Sequence, residues 1–237
     1  MADGEGHDTL TPLLAARRRF ATMVVHEVRG PLTAAMGQAE LLTMADAERD
    51  GPFRAGVASD IVEALDHLAA VLDDVLVVTN GPGPLATEPV DLAAALRDGL
   101  VGDAHTDALA AALAGAPAVR GDAAGVARIL AELIANARAP RSGREQPRLT
   151  WWSDDGAVVV DVIDSGPTIL AEERTAALDR LDRETSGLRS RRNPGLGVTV
   201  ARVLAEGMAG SLTIADAAGS GCVFRLRLPQ APAQRSG

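Results

Sequence analysis

The stretch HEVRGPLTAAMG, His26 to Gly37, decides how this chain is read. It sets a His-Glu pair and Arg29 inside a run of apolar residues, Leu10, Leu13, Leu14, Phe20, Val24, Val28, Leu32, Met36 and Leu41. Their spacing predicts an amphipathic helix, with Thr11-Pro12 as its start, because proline is tolerated in a first turn. Pro31 comes just after the His-Glu pair. There a missing amide and a ring clash predict a bend. Alone, a His-Glu pair on a helix is ordinary surface, and its meaning depends on the rest of the chain.

Beyond this helix lie a polar turn, DAERDGPFRAG, and then Val57, Ile61, Leu65, Leu68, Leu72, Val75 and Val78 at three- and four-residue steps. That spacing is close to a heptad seam. Two long amphipathic helices joined by a short turn make an antiparallel hairpin. One hairpin cannot bury its own stripe, so the expected arrangement is a four-helix bundle built by a homodimer. The hairpin is assigned to residues 10–80 after a tail at 1–9. A Pro/Gly-rich linker at 81–89 separates it from a second domain at 90–229, and residues 230–237 form a closing tail.

Composition restricts the function classes. The 237-residue chain is 47% hydrophobic and 23% charged, which fits a globular protein. Aromatic residues make up only 2%, so Leu, Val, Ile and Ala must build the cores. A net charge of -9 argues against a nucleic-acid binder or a protein that seeks anionic membranes. Every basic side chain other than histidine is arginine, so no lysine can serve a phosphate.

The single cysteine, Cys222, excludes an internal disulfide and a multi-cysteine metal site. It lies in the strand-like GCVFRLRLP and reads as a small buried hydrophobe. The start, MADGEGHDTL, is unlike a signal peptide. No apolar run reaches the roughly 18 residues of a membrane span. The expected location is the cytoplasm, with any signal from across a membrane arriving through a separate sensor protein.

The second domain reads as mixed α/β, giving an α+β chain overall. VDLAAALRDGL, GDAAGVARILAELIANARA and GVTVARVLAEGMAG carry helical patterns. RLTWWSDDGAVVVDVID reads as two strands around an Asp-Asp-Gly turn, and SLTIADAAGSGCVFRLRLP as a closing hairpin. Ala104 to Ala118 fits helix and strand equally. Within this domain ELIANA places Glu132 and Asn136 on one helical face, where a carboxylate and an amide suit a metal ion or a phosphate-bound water. DVIDSGP ends a strand at Asp164 and turns through Gly166. NPGLG puts Gly195 and Gly197 at a helix start, where backbone amides can cradle phosphate.

In this order the motifs resemble the sensor histidine kinases of two-component systems, from about Phe20 to Pro229. HEVRGPLTA is similar to that family's phospho-acceptor box and ELIANA to its asparagine box. DSGP resembles its first glycine box, and GLGVTVARVLAEGMAGSL with GSGCVFRLRLP its last glycine box and closing strands. The resemblance implies a dimeric four-helix-bundle hairpin followed by an α/β sandwich ATP-binding domain. It implies that His26 takes the γ-phosphoryl group of ATP and that Glu27 acts as general base. Asn136 would ligate Mg2+ with help from Glu132, Asp164 and Gly166 would meet adenine, and Gly195 and Gly197 would pass the phosphates. The phosphoryl group would then go to an aspartate on a response-regulator receiver domain.

Some positions depart from that family's pattern. Thr168 stands where a second glycine is usual, and Ala139 where a basic residue commonly follows the asparagine; Arg138 comes one step early. The segment from Thr168 to Asn193 carries Arg180, Arg183, Arg189, Arg191 and Arg192 in place of aromatic residues. Gly30 replaces a Thr or Asn that positions water for removing phosphate from the partner, which implies weak phosphatase activity. The alternative to a kinase is a degenerate relative that keeps His26 but binds ATP weakly or not at all. It would act as a histidine phosphotransfer protein or a scaffold.

Overall fold

A computed structural model describes residues 5–44, 51–138, 146–169, 174, 196–217 and 221–232, with side chains described from Phe20 onward. The chain divides into two compact units, Met1–Val75 and Leu76–Gly237. The boundary falls inside the second helix rather than at the Pro/Gly-rich segment.

The first unit contains α1 (Glu5–Met44) and most of α2 (Gly51–Asn80). α1 begins ahead of the expected Thr11-Pro12 start and continues as helix through Pro31. Gln38 Nε2 donates to Asp60 Oδ2 at 3.1 Å, tying the end of α1 to the start of α2. In α2, Val57, Ile61, Ala64, Leu68, Val71, Val75 and Val78 are buried or half-buried. This line follows alternating steps of four and three, so it passes through Ala64 and Val71.

Leu65 and Leu72, expected in that seam, are each 48% exposed and lie beside it with Val62 and Leu76. α1 repeats the arrangement, with Pro31 and Ala35 buried and Leu32 and Met36 exposed. The hairpin thus carries a covered apolar line and a separate exposed one.

The second unit holds β1 (Glu88–Val90), α3 (Leu92–Gly99), α4 (Thr106–Ala112), β2 (Val119–Gly121) and α5 (Ala123–Ala137). β3 (Arg148–Asp154), β4 (Ala157–Ile163), α6 (Gly197–Gly207), β5 (Ser211–Asp216) and β6 (Cys222–Pro229) complete it. The ambiguous alanine-rich stretch is therefore a short helix. Glu88 and Pro89, expected in the linker, belong to β1 and pair with Gly121 and Arg120 of β2.

The main sheet is antiparallel, in the order β3-β4-β6-β5. β3 and β4 join through Asp155 and Gly156, both at positive φ (43° and 70°). A two-residue loop of this kind matches the twist of its flanking strands. α5 packs against α3 and α6. Its buried face, Val126, Ile129, Leu130, Leu133 and Ile134, joins Leu96, Val200, Phe224 and Leu226 in the core. Asp91 and Asp122 cap α3 and α5 by accepting from the amides of Ala94 and Gly125, each at 2.8 Å. Such caps each contribute about 1 kcal/mol.

No helix among the described residues is long and apolar enough to cross a membrane.

Candidate functional site

The end of β4 builds one part of the site. Asp164 follows the strand's last residue, and its backbone N–H donates to the Cys222 carbonyl at 3.0 Å. Its Oδ1 accepts from the amides of Gly166 at 3.0 Å and Cys222 at 2.9 Å. Gly221 has φ +112°, and a β-carbon there would collide with the backbone carbonyl of Asp164. Burial pushes the Asp164 carboxyl above its ordinary value, and the two amide bonds pull it back in part. Among the described residues nothing donates to Oδ2. The carboxylate is thus fixed through one oxygen and can accept from a ligand's amine through the other.

α5 supplies the second part. Glu132 and Asn136 lie one turn apart on its last turns. Asn136 is 7% exposed, one of four buried polar or charged side chains among the described residues. Its Nδ2 atom is buried with no hydrogen-bond acceptor among them, though the residue has other interactions. α6 opens at Gly197, where a β-carbon would run into the Glu132 carboxylate. Glycine at 197 therefore lets the start of α6 approach α5 at Glu132, one turn before the asparagine.

The described residues hold no group of three or more His, Cys, Asp or Glu side chains suited to a metal ion. A Mg2+ ion taken up with a polyphosphate keeps several waters and needs only one or two protein oxygens besides the phosphates, which the side-chain oxygens of Asn136 and Glu132 are chemically suited to supply.

His26 lies exposed on α1, with Glu27 half-buried at the next position. Successive residues on an α-helix point about 100° apart, so the two side chains leave α1 in different directions from neighbouring positions. Both belong to the first unit. The expected groups of the second unit fall into two clusters: Glu132, Asn136 and Gly197 at the junction of α5 and α6, and Asp164 and Gly166 at the end of β4. Gly195 and the arginines from Arg180 to Arg192 lie outside the described residues.

Two sets of contacts were not foreseen from the sequence. Gly221 and Cys222 hold Asp164, and the Gly-Ser-Gly turn before Cys222 was the signal for them. Arg138, just past the end of α5, has both terminal nitrogens on the Asp103 carboxylate and its Nε on Gln146 Oε1 at 3.0 Å. Two residues from Asn136, it is committed to a neighbouring loop.

Comparison with known proteins agrees with this arrangement. Residues 16–80 match the His Kinase A (phospho-acceptor) domain, and residues 121–232 match the histidine kinase-, DNA gyrase B- and HSP90-like ATPase family. Over 224 residues the chain is 33% identical to the signal transduction histidine-protein kinase/phosphatase MprB of Mycobacterium ulcerans, covering 87% of this chain and 42% of that protein. It is 31% identical to the sensor histidine kinase MtrB of Mycobacterium bovis, covering 90% of this chain and 39% of that protein. The chain thus spans less than half the length of these relatives.

Among solved structures, histidine kinase AdeS of Acinetobacter baumannii shares the fold with a TM-score of 0.57 at 21% identity, over 87% of this chain and 98% of that one. Histidine kinase ThkA, solved in complex with response regulator protein TrrA, has a TM-score of 0.58 at 17% identity, over 99% of this chain and 70% of that one. A phospho-acceptor hairpin with an exposed histidine, followed by an ATPase-type sheet and helix unit, places this chain in the two-component sensor histidine kinase family.

Proposed function

We propose that the chain is the catalytic core of an ATP-dependent protein histidine kinase that phosphorylates itself on His26 and passes the phosphoryl group to an aspartate of a response-regulator receiver domain. The observation that carries this reading is the setting of Asp164. A buried carboxylate is fixed by two backbone amides on one oxygen, leaving the other for an exocyclic amine, and it lies in the same unit as the Glu132, Asn136 and Gly197 cluster. An ionised carboxylate has acceptor capacity beyond two hydrogen bonds, and here its placement suits an adenine nucleotide.

An imidazole nitrogen of His26 would attack the γ-phosphorus. The new P–N bond forms as the bond from that phosphorus to the bridging oxygen of ADP breaks. Glu27 would accept the ring proton as the phosphoramidate forms. Asn136 would hold magnesium, which supplies positive charge to the triphosphate when bound. Glu132 would orient a water beside it, and Gly195 and Gly197 would let the backbone pass close to phosphate. The protein's contribution is positioning and charge neutralisation.

The exposed apolar line of Val25, Leu32, Met36, Val62, Leu65 and Leu72 supports a homodimer, because a second hairpin can cover it. ThkA's complex with a response regulator supports a partner of that class.

Nucleotide binding by the whole chain tests the reading against its alternative, a phosphotransfer protein or scaffold. Titration should show ATP with magnesium binding and GTP, which lacks adenine's exocyclic amine, binding at least tenfold more weakly. Absent binding of both would favour the alternative, and equal binding of both would remove Asp164 from adenine recognition.

A further inference from the structure

Arg138 holds three segments together at the end of α5. It occupies the C-cap of the helix, where its N–H donates to the Ile134 carbonyl at 3.0 Å. Its guanidinium meets Asp103 through two nitrogens and Gln146 through the third. Asp103 lies in the loop between α3 and α4. That loop is braced in turn: Asp103 Oδ1 accepts from the His105 amide at 2.8 Å, and Thr106 Oγ1 donates to the carbonyls of Leu100 and Asp103, both at 2.8 Å. Gln146 stands two residues before β3.

A planar, forked cation suits this three-way contact in a way a lysine would not. The ion pair is only partly exposed, with side-chain values of 22% for Arg138 and 28% for Asp103. Asn136 is two residues away, on the turn this contact secures.

We infer that Arg138 is a positioning residue. Through Asp103 and Gln146 it anchors the last turn of α5, and so sets where Asn136 presents its amide to magnesium-bound phosphate. The inference rests on the nucleotide site proposed above and assigns Arg138 no direct contact with phosphate. Its effect is therefore on the magnesium-dependent part of nucleotide binding. Displacing the partners of a metal ligand commonly costs at least about tenfold in metal affinity.

The test compares the whole wild-type chain with Arg138→Ala, Asp103→Asn and the charge-swapped double variant Asp103→Arg/Arg138→Asp. ATP binding is measured with and without magnesium, and the side-chain amide resonance of Asn136 is followed by NMR without nucleotide. The expected result is about a tenfold loss of magnesium-dependent affinity in both single variants. Magnesium-free binding should stay within about twofold, the Asn136 resonance should shift, and the double variant should recover affinity at least in part.

Tighter ATP binding by Asp103→Asn would overturn the inference, because it would mean that Asp103 competes with phosphate for Arg138. An unmoved Asn136 resonance with unchanged magnesium dependence would also overturn it, whatever the melting temperature does. If wild type binds no ATP, the nucleotide reading fails; movement of the Asn136 resonance still decides whether Arg138 sets that side chain.

Discussion

The Glu132 carboxylate occupies the space that a β-carbon on Gly197 would need. This relationship joins the asparagine-bearing helix α5 to the start of α6, and it makes position 197 a point of close packing. The atoms in the way are the far end of a flexible side chain, so Gly197→Ala should destabilise the second unit by no more than about 1 kcal/mol, the low end of overpacking costs. Shortening the opposing side chain should relieve the collision, so Gly197→Ala/Glu132→Ala should be less destabilised than the sum of the single changes. Chemical denaturation of the four proteins checks this; strict additivity would show that the two residues do not press on each other.

Asp164→Asn separates fold from recognition. The variant keeps an oxygen for the amides of Gly166 and Cys222, but its NH2 group then stands where Oδ2 stood and faces an amine donor with another donor. Folding should be preserved while ATP binding falls at least a hundredfold by titration. Retained binding would remove Asp164 from adenine recognition.

The two perturbed aspartates have opposite effects on pH dependence. Burial is the largest influence on Asp164 and raises its folded value above 3.8. The folded state therefore binds this proton more readily than the unfolded one, and Asp164 lowers stability as pH rises from 3.8 through its folded value. Asp164→Asn should remove that loss. The hydrogen bond from Arg138 is the largest influence on Asp103 and lowers its value below 3.8. Its contribution is complete above 3.8 and fades as pH falls through the lowered value. Acid titration of stability should accordingly show Asp103→Asn flattening the curve below that pH; the opposite slope for either variant would contradict the assignment.

Gly30 and Gly37 sit inside α1 with nothing within 4 Å of where a β-carbon would stand. Alanine at either position should stabilise the hairpin by roughly 0.5–1 kcal/mol, the usual cost of glycine in a helix. Thermal melts of the whole chain check the direction, and a lower melting temperature would mean that these glycines pack against something.

Gly30 also lies four residues after His26, on the same helical face. The chain should remove phosphate from a phosphorylated receiver domain slowly, and Gly30→Thr, which adds a hydroxyl there, should speed the loss. Rapid dephosphorylation by the unaltered chain would exclude this role for position 30.

Much of the arrangement was legible because it depends on local pattern. The periodicity around His26 gave the first helix, and the Asp-Asp-Gly run gave the β3–β4 turn, since few residue pairs tolerate two positive φ values. Leu65 and Leu72 lie off the line that one hairpin covers by itself, which runs through Ala64 and Val71; they fall on the exposed line left for a second hairpin, a division that spacing alone did not reveal. Pro89 in β1 was missed because its partner, Arg120, lies 31 positions along the chain. The Asp103–Arg138 pair was hidden for the same reason: two ordinary surface residue types acquire a role only when the fold brings them together.

The decisive measurement for autophosphorylation on His26 is incubation of the purified chain with γ-labelled ATP and magnesium beside His26→Ala and Asn136→Ala. Acid-labile label should appear on the wild-type chain and on neither variant. Acid-stable label, or label that survives loss of His26, would contradict autophosphorylation on that residue.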